Sequence, residues 1–525
     1  MAARRRLRVV ILKPSKYAPD GSVERFRWGF MPNSTVPYLR SMTPARVGET
    51  ACEVHAIDEY VQTDLDYLRL LEPEPGVGVL VALVGVQSHQ LHRALDLSAY
   101  AREKGACAVI GGPHVMTCDT RMLQGHGVSF ALCEAELVWN DILADAIDGE
   151  LQPVYGRETR WQARLDPPAL LPPSRRDLSR YVVRLLGVYP ARGCPYSCNF
   201  CSVIQIAGHA VRSQPIATTL ESLRRAREAG VRFIMFTSDN FNKYAQVESL
   251  LEAMIDQEIR LPFFVQCDAQ VYRQPELVTL LARAGCFQMF VGAESFDART
   301  LHLAHKFHNT PAKYAEIVRL CAENGITSHF SNILGFPSDS EESIFGHLEM
   351  LQRLAPDVAS FYLLTPIPGT EQYDDFRRSG LLTESNLDRY DGSHFTWRHP
   401  QVPPERLTQL LFECYRRFYA IADVTRKTAR AVGGQRDFRL YGSLSALWGY
   451  SIQSRWGARR RSHPMAGGIW RRRVDAASDY RLLRRRRFDL DLAPLPQNLS
   501  LSPAEAEANR GAKLSVNSSG SQEAV

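Results

Sequence analysis

The sequence predicts an α/β protein: a doubly wound parallel sheet, then a partial (β/α)6 barrel, a helical C-terminal region and a disordered tail. Three observations predict it. Apolar runs alternate twice along the chain with amphipathic stretches of helical period. A proline-rich connector separates the two series. Three cysteines follow directly on the first strand of the second series, in Arg192-Gly193-Cys194-Pro195-Tyr196-Ser197-Cys198-Asn199-Phe200-Cys201.

The first series spans residues 1–148. Its strands fall at 7–12, 52–57, 79–86, 107–110 and 128–132, with helical stretches at 91–104 and 136–148. The apolar run at 76–86, the longest in the chain, is too short to cross a bilayer and reads as a strand buried on both faces. Right-handed crossovers would place ligands at the carboxyl ends of the strands, at the switch point of the sheet. Residues 149–186, with Pro167-Pro168 and Pro172-Pro173, read as a linker.

The second series runs over 187–375. Strands are expected at 187–189, 232–236, 263–267, 287–291, 327–334 and 358–364. Helices are expected at 216–229, 245–258, 275–284, 311–324 and 341–354, three of them ending at Gly230, Gly285 and Gly325. Six such units suit a partial barrel whose chemistry sits on the loops after the strands. Residues 376–488 read as a basic helical region, with 404–423 its clearest helix. Residues 489–525, polar and without aromatics, read as a disordered tail.

A length of 525 residues with 45% hydrophobic content is enough for two or three packed domains. The N-terminus is basic, but the apolar run at 7–12 is too short for a signal-peptide core, so a cytoplasmic location with reduced thiols is expected. The net charge of +6 is uneven. Arginine runs at 459–461, 471–473 and 484–487 crowd the C-terminal region, which also holds Trp448, Tyr450, Trp456 and Trp470. Such a pattern suits solvated surface, a helical cap on the barrel, or a peripheral contact with an anionic membrane. No nucleic-acid partner is expected.

The spacing Cys-x3-Cys-x2-Cys suits three corners of a 4Fe–4S cluster, with one iron left open because no fourth cysteine lies nearby. With eleven cysteines in the chain, the spacing would arise by chance only ~0.005 times. Structural zinc would call for a second ligand pair, which the sequence lacks.

The triplet, with Phe200 before its third cysteine, resembles the signature of the radical S-adenosylmethionine (SAM) superfamily. Four segments at strand ends extend the likeness. They are Thr237-Ser238-Asp239-Asn240-Phe241, Val291-Gly292-Ala293-Glu294-Ser295, Asn332-Ile333-Leu334-Gly335-Phe336-Pro337 and Thr365-Pro366-Ile367-Pro368-Gly369-Thr370. The resemblance implies that Cys194, Cys198 and Cys201 hold the cluster and that the open iron chelates the methionine end of SAM. It implies a SAM site at Phe200, Asp239, Asn240, Glu294, Ser295 and Gly335, although Asp239 also suits an Asx-turn. The expected product of cleavage is a 5′-deoxyadenosyl radical.

The first series resembles the flavodoxin-like domain of cobalamin-dependent members. Ser88-His89-Gln90 follows the third strand, Gly111-Gly112-Pro113-His114 the fourth, and Cys133-Glu134-Ala135-Glu136 the fifth. The resemblance implies cobalamin contacts at Ser88, His89, Gly111, Gly112 and His114. It departs from the better-known cobalamin domain after the first strand, where Pro14-Ser15-Lys16-Tyr17 offers no Asp-x-His-x-x-Gly and hence no lower axial histidine. The whole resemblance implies a cobalamin-dependent C-methyltransferase acting on an unactivated carbon of a small-molecule or lipid-like substrate, served by a flavodoxin- or ferredoxin-type one-electron reductant. A ring-forming enzyme with the same cofactors and a non-catalytic cluster or cobalamin carrier are the alternatives.

Overall fold

The computed structural model describes residues 6–472, apart from 19–20, 63–64, 124–126, 157–158, 436 and 461–467. The expected tail at 489–525 and the arginine run at 484–487 lie outside the described residues.

The N-terminal sheet contains the parallel strands β1 (Arg6–Lys13), β2 (Thr50–Asp58), β3 (Val77–Leu83), β4 (Cys107–Gly111), β5 (Ser129–Ala131) and β6 (Val154–Tyr155). Their order is β2-β1-β3-β4-β5-β6, with the short antiparallel strand Arg46–Val47 at the β2 edge. The order reverses between β1 and β3, which is the switch point where such sheets open a crevice. Five of these strands follow the sequence pattern. The sixth, β6, comes from the segment read as linker. Tyr155 is buried there and donates to Asp145 at 2.7 Å, while the Pro153 carbonyl accepts from the Phe130 N–H at 3.1 Å. Helices α1 (Thr35–Met42), α2 (Leu91–Glu103), α3 (Pro113–Thr117) and α4 (Trp139–Asp148) accompany the sheet.

The second sheet contains β7 (Leu185–Val188), β8 (Phe233–Phe236), β9 (Phe263–Cys267), β10 (Cys286–Glu294), β11 (Thr327–Leu334) and β12 (Val358–Leu363). All pair in parallel and in sequence order, as successive β/α units dictate. The sheet is open between β7 and β12, so β12 is an edge whose unpaired backbone must be covered. Two tyrosines cover it. The Phe361 N–H donates to the Tyr415 hydroxyl at 3.0 Å, and the Ala359 N–H donates to the Tyr419 hydroxyl at 3.1 Å.

That duty also explains a departure from the sequence pattern. The stretch 404–423 is two helices, α5 (Pro404–Phe418) and α6 (Ile421–Gly434), broken where Tyr419 reaches the edge strand. A long helix, α7 (Leu440–Arg460), closes the end of the barrel where the strands begin. Its Gly442 leaves no room for a Cβ against Phe287, the second residue of β10. Within the region read as helical, Gly468–Arg472 is instead a strand, paired antiparallel with Arg25–Gly29. Trp28 and Trp470 meet across that pair at 5.3 Å between ring centroids.

The segment read as linker lies over both layers. Leu165, Leu170, Leu178 and Tyr181 are buried, and the Leu170 N–H donates to Ser222 at 3.0 Å.

Candidate functional site

After β7 the chain enters a long loop, closed at its base by a two-residue antiparallel pairing of Ala191–Arg192 with Arg212–Ser213. The loop starts with Gly193 at φ +108°, where a Cβ would fall on the Ala210 carbonyl, so only glycine fits. Backbone bonds then shape the turn that carries the cysteines: the Cys194 N–H to the Gly208 carbonyl and the Cys201 N–H to the Cys198 carbonyl, both 3.1 Å. From outside, the Asn199 N–H is held by the Ala304 carbonyl at 3.2 Å, and the Asn199 carbonyl accepts from the Gln372 N–H at 3.0 Å. Trp161, from the segment before the barrel, donates to the Ile206 carbonyl at 2.7 Å. The loop is thus held by bonds to Gly208, Ala304, Gln372 and Trp161.

The donor set fits a cluster. Cys198 is buried, Cys194 and Cys201 are half-buried, and all three are free thiols. Burial pushes Cys194 and Cys201 up to about 12 and raises Cys198, so they need a metal to become thiolates. Among the described residues no three Cys, His, Asp or Glu side chains converge on one ion position. In a 4Fe–4S cluster each thiolate takes its own iron, so the three sulfurs need not meet at one ion. The Asn240 amide donates to the Cys194 sulfur at 3.0 Å, the kind of hydrogen bond that tunes cluster potential.

The residues read as SAM contacts divide. Asp239 does not hang free over the loop: it accepts the Gly193 N–H at 3.0 Å and so helps to hold the cysteine turn. Glu294 ends β10 at φ +64°, a strained conformation for a non-glycine residue, at a register shift in the β10–β11 pairing. Asn309 holds that bulge by donating to the carbonyls of Gly292 and Ala293 at 2.9 and 2.8 Å. The buried Glu294 carboxylate accepts from Ser331 at 3.1 Å and lies 3.7 Å from the Lys306 ammonium. Burial raises its pKa, while Lys306 and Ser331 oppose the rise. The Ser295 hydroxyl is engaged by the Asp297 N–H at 3.1 Å. Gly335, at φ +83°, faces Phe395 and Leu407, and its N–H donates to Asp339.

Lys306 is the residue that sequence reasoning missed. It is buried, lies 5.9 Å from the centre of the Phe200 ring, and interacts electrostatically with Cys194, Cys198 and Cys201. No motif spacing marks it. A buried lysine is rare enough to be a signal, but burial is a property of the fold.

Two cavities meet at this loop. The larger, 450 Å³, is bounded on the barrel side by Phe200, Glu294, Ser331 and Tyr362, and on the N-terminal side by Ser88, His89 and His114. Burial lowers the pKa of both histidines to about 3, so both are neutral. His114 Nδ1 lies 3.0 Å from the Ser88 hydroxyl.

The second cavity, 280 Å³ and mostly apolar, lies at the carboxyl ends of β3, β4 and β5, under α1 and α4. Pro113 and Ile206 border both cavities. The paired glycines part here. A Cβ on Gly111 would make only ordinary contact with Ala131, so this side is open to the cavity. A Cβ on Gly112, at φ +137°, would fall on the backbone of Gly85 and Val86. Gly112 also borders the cavity, but its missing side chain serves chain packing.

The sequence Cys133-Glu134-Ala135-Glu136 ties the second cavity to the cysteine loop. Glu134 pairs with Arg212 at 2.7 Å and with Arg192 at 3.3 Å, and Glu136 pairs with Arg192 at 2.8 Å. Arg192 immediately precedes Gly193, so the turn after β5 is joined to the base of the cysteine loop. The segment after β1 folds onto the protein. The Ser15 N–H donates to Glu59 at 2.9 Å, and Lys16 pairs with Asp391, which borders the larger cavity.

Comparison with known proteins agrees with this geometry. The family model described as the radical SAM superfamily matches residues 188–351. The chain is 24% identical over 368 residues to the bacteriochlorophyllide d C-8(2)-methyltransferase of Chlorobaculum tepidum, covering 66% of this chain and 79% of that protein. It is 30% identical over 341 residues to the hopanoid C-2 methylase of Rhodopseudomonas palustris, covering 62% of each. Its fold is similar to that of the radical SAM methyltransferase TsrM from Kitasatospora setae, solved with cobalamin and a [4Fe-4S] cluster. The TM-score is 0.59 at 15% identity, over 86% of this chain and 99% of that one. The cysteine turn, after the first strand of an open six-stranded parallel sheet, falls inside the stretch that matches the family model, so residues 188–351 form a radical S-adenosylmethionine domain.

Proposed function

We propose that the protein is a cobalamin-dependent radical SAM methyltransferase that acts on an unactivated carbon of a small-molecule or lipid-like substrate. One observation carries this reading: the loops after β3 and β4 and the cysteine loop border the same 450 Å³ cavity. A substrate carbon there lies within reach of both cofactor-binding regions.

In this reading Cys194, Cys198 and Cys201 hold the cluster, and the fixed turn sets its orientation. Lys306 supplies a buried cation suited to the carboxylate of the methionine end of SAM. Glu294 offers carboxylate oxygens to ribose hydroxyls, and Phe200 an aromatic wall. The apolar 280 Å³ cavity, with Gly111 open to it, accepts part of a corrinoid. Ser88, His89 and His114 face it from the larger cavity as uncharged polar groups. When bound, the cofactors supply one-electron cleavage of SAM, hydrogen abstraction and methyl donation. The protein's own part is to orient them and exclude water, for which Ile333, Leu363, Leu364 and Ile367 line the larger cavity.

A flavodoxin- or ferredoxin-type reductant and a cytoplasmic location suit a reducible cluster. The basic C-terminal region is further proposed to contact a membrane surface. Among the described residues no helix is long and apolar enough to cross a bilayer.

Anaerobic reconstitution with iron, sulfide and hydroxocobalamin tests the reading. About four irons and one corrinoid per chain are expected, and reductive turnover should release 5′-deoxyadenosine and S-adenosylhomocysteine. Stoichiometric zinc without iron would overturn the cluster. Loss of all corrinoid on gel filtration would overturn cobalamin. Deoxyadenosine without S-adenosylhomocysteine would favour ring formation.

A further inference from the structure

Exposed large apolar side chains are not spread evenly over this protein. Among the described residues, eight of the fourteen lie between Ile421 and Trp470. Charge is uneven in the same place. Residues 421–472 carry eleven Lys and Arg against two Asp and Glu, a net of +9 in a chain that nets +6.

Helix α7 shows how the two are arranged. On one face are Gly442, Ser443, Ala446 and Leu447, packed on the strand starts of the barrel. The Ser443 hydroxyl donates to the Phe287 carbonyl at 3.4 Å. Tyr450 belongs to this inner face, with its ring edge-on to His329 at 4.8 Å and to Phe30 at 6.5 Å. Tyr441, although 55% exposed, stacks on Phe233 and accepts from Arg232 at 2.9 Å, whereas on the other face Trp448, Ile452 and Trp456 recur at spacings of four and four, each between 43% and 48% exposed. Arg455 is exposed beside them, and Arg459-Arg460-Arg461 follows in sequence. The adjoining strand pair continues the pattern. Trp470 is 51% exposed, Arg471 and Arg472 are exposed, and the Arg27 guanidinium lies 4.6 Å from the Trp28 ring centre.

We propose that this face is a docking surface for an anionic lipid bilayer, with α7 lying in the headgroup plane. This gives a place and a chemistry to the membrane contact proposed above, and it rests on that reading. An aromatic stripe flanked by arginines is the pattern of an interfacial helix: the rings enter the headgroup layer and the cations meet lipid phosphates. The stripe is on the outer side of a helix, not in a groove, which disfavours stacking of single-stranded bases. The charge disfavours a second copy, because two such faces would meet with the same sign.

The placement has a consequence for substrate access. Helix α7 closes the end where the barrel strands begin, whereas the cysteine loop and the 450 Å³ cavity lie at the end where they finish. The surface is therefore a tether. It holds the enzyme at a membrane without pressing the active-site mouth against it.

The test uses full-length, reconstituted protein and vesicle flotation. Vesicles of phosphatidylcholine with 30% phosphatidylglycerol should bind the protein, and pure phosphatidylcholine should bind it about tenfold less. Binding should weaken between 0.1 and 0.5 M salt, and tryptophan emission should shift to the blue on binding. The variant Trp448→Ser/Ile452→Ser/Trp456→Ser should lose about tenfold in vesicle affinity while keeping iron content and 5′-deoxyadenosine formation. Should the triple variant misfold, Arg471→Ser/Arg472→Ser tests the charge alone by its shallower salt dependence. Wild-type protein that ignores anionic vesicles overturns the proposal, as does binding that the stripe variant leaves unchanged. A wild-type dimer dispersed by the stripe variant, or preference for single-stranded nucleic acid, also overturns it. The enzyme reading stands or falls separately: a preparation that holds its cluster and cleaves SAM but does not float loses only the tether.

Discussion

The cysteine loop and the cavity behind Gly111, which in the proposed function hold a cluster and part of a corrinoid, are built by opposite means. The loop is polar and over-determined. Its backbone is tied to Gly208, Ala304, Gln372 and Asp239, and one of its sulfurs accepts an N–H from Asn240. The cavity is mostly apolar and is shaped by what is missing: a side chain at Gly111, and bulk between the ends of β3, β4 and β5 and the helices α1 and α4. The difference teaches that metal ligation is written in local spacing, whereas a site for an extended organic cofactor is written in the packing of distant segments. The two regions should respond to different injuries.

The largest expected effect is on the loop. Cys198→Ala should abolish the cluster, taking iron from about four per chain to background, because two thiolates cannot hold it. Corrinoid retention should persist, since the apolar cavity does not depend on the metal. Iron and corrinoid counted on one gel-filtered sample check this. Joint loss would break the distinction between the regions.

The glycines give the next contrast. Gly112→Ala combines a positive φ with backbone overlap at Gly85 and Val86, and should destabilise the N-terminal sheet by about 3 kcal/mol or more. Gly111→Ala should be close to neutral, since its Cβ would meet only Ala131, 3.6 Å away. Gly111→Leu should fold and fill part of the 280 Å³ cavity, lowering corrinoid retention about tenfold with iron unchanged. Thermal melts and corrinoid spectra separate the three.

These contrasts show what the sequence could and could not reveal. The two sheets, five strands of the first and the six of the second, and the cysteine triplet were legible because each follows from a period or a spacing. The separate duties of Gly111 and Gly112 were not, because the neighbour that fills the space beside Gly112 comes from a loop 26 residues earlier in the chain. Lys306 was illegible for the same reason: it matters because it is buried beside Glu294 and Phe200. The sequence left a membrane face and a cap on the barrel open for Trp448, Tyr450 and Trp456, and helical phase separates them: Tyr450 turns inward to His329, while Trp448 and Trp456 are about half exposed. The short strand Gly468–Arg472 was hidden because its partner, Arg25–Gly29, lies more than 400 residues away.

A third effect sharpens the contrast through pH. The segment after β1, which offers no axial histidine, packs through the Ser15 N–H on a buried charge cluster around Glu59. Glu59 accepts from Arg93 at 3.1 Å and from Arg25 at 3.1 Å. Burial alone would raise its pKa, but Arg93 and Arg25 overcome burial and bring it down to about 2. A carboxylate depressed in this way stabilises the fold fully above its unfolded value near 4.5 and loses that contribution as pH falls toward 2. Glu59→Gln should therefore destabilise the N-terminal sheet at neutral pH by on the order of 3 kcal/mol, and the gap from wild type should narrow below pH 4. Chemical denaturation at pH 7 and pH 3.5 tests this, and an undiminished gap at the lower pH would exclude Glu59 as the titrating group.

The smallest effect returns to the loop. Asn240, an uncharged side chain, donates to the Cys194 sulfur at 3.0 Å. The loop's other bonds remain when it is removed, so Asn240→Ala should keep about four irons per chain and an unchanged melting temperature. What changes is charge. A hydrogen bond to a cluster sulfur stabilises the electron-rich, reduced form, so its loss should lower the midpoint potential. A single such bond is worth about 1.5 kcal/mol, which sets the expected loss in SAM cleavage at no more than about tenfold. Asn240→Asp separates hydrogen bonding from size. It cannot donate when ionised and places a negative charge beside the sulfur, so its potential should fall further than that of the alanine variant. If both variants lose iron, Asn240 helps to build the loop, and the claim that the turn is fixed independently of it fails. If neither shifts the potential, the bond from Asn240 to Cys194 does not survive cluster assembly.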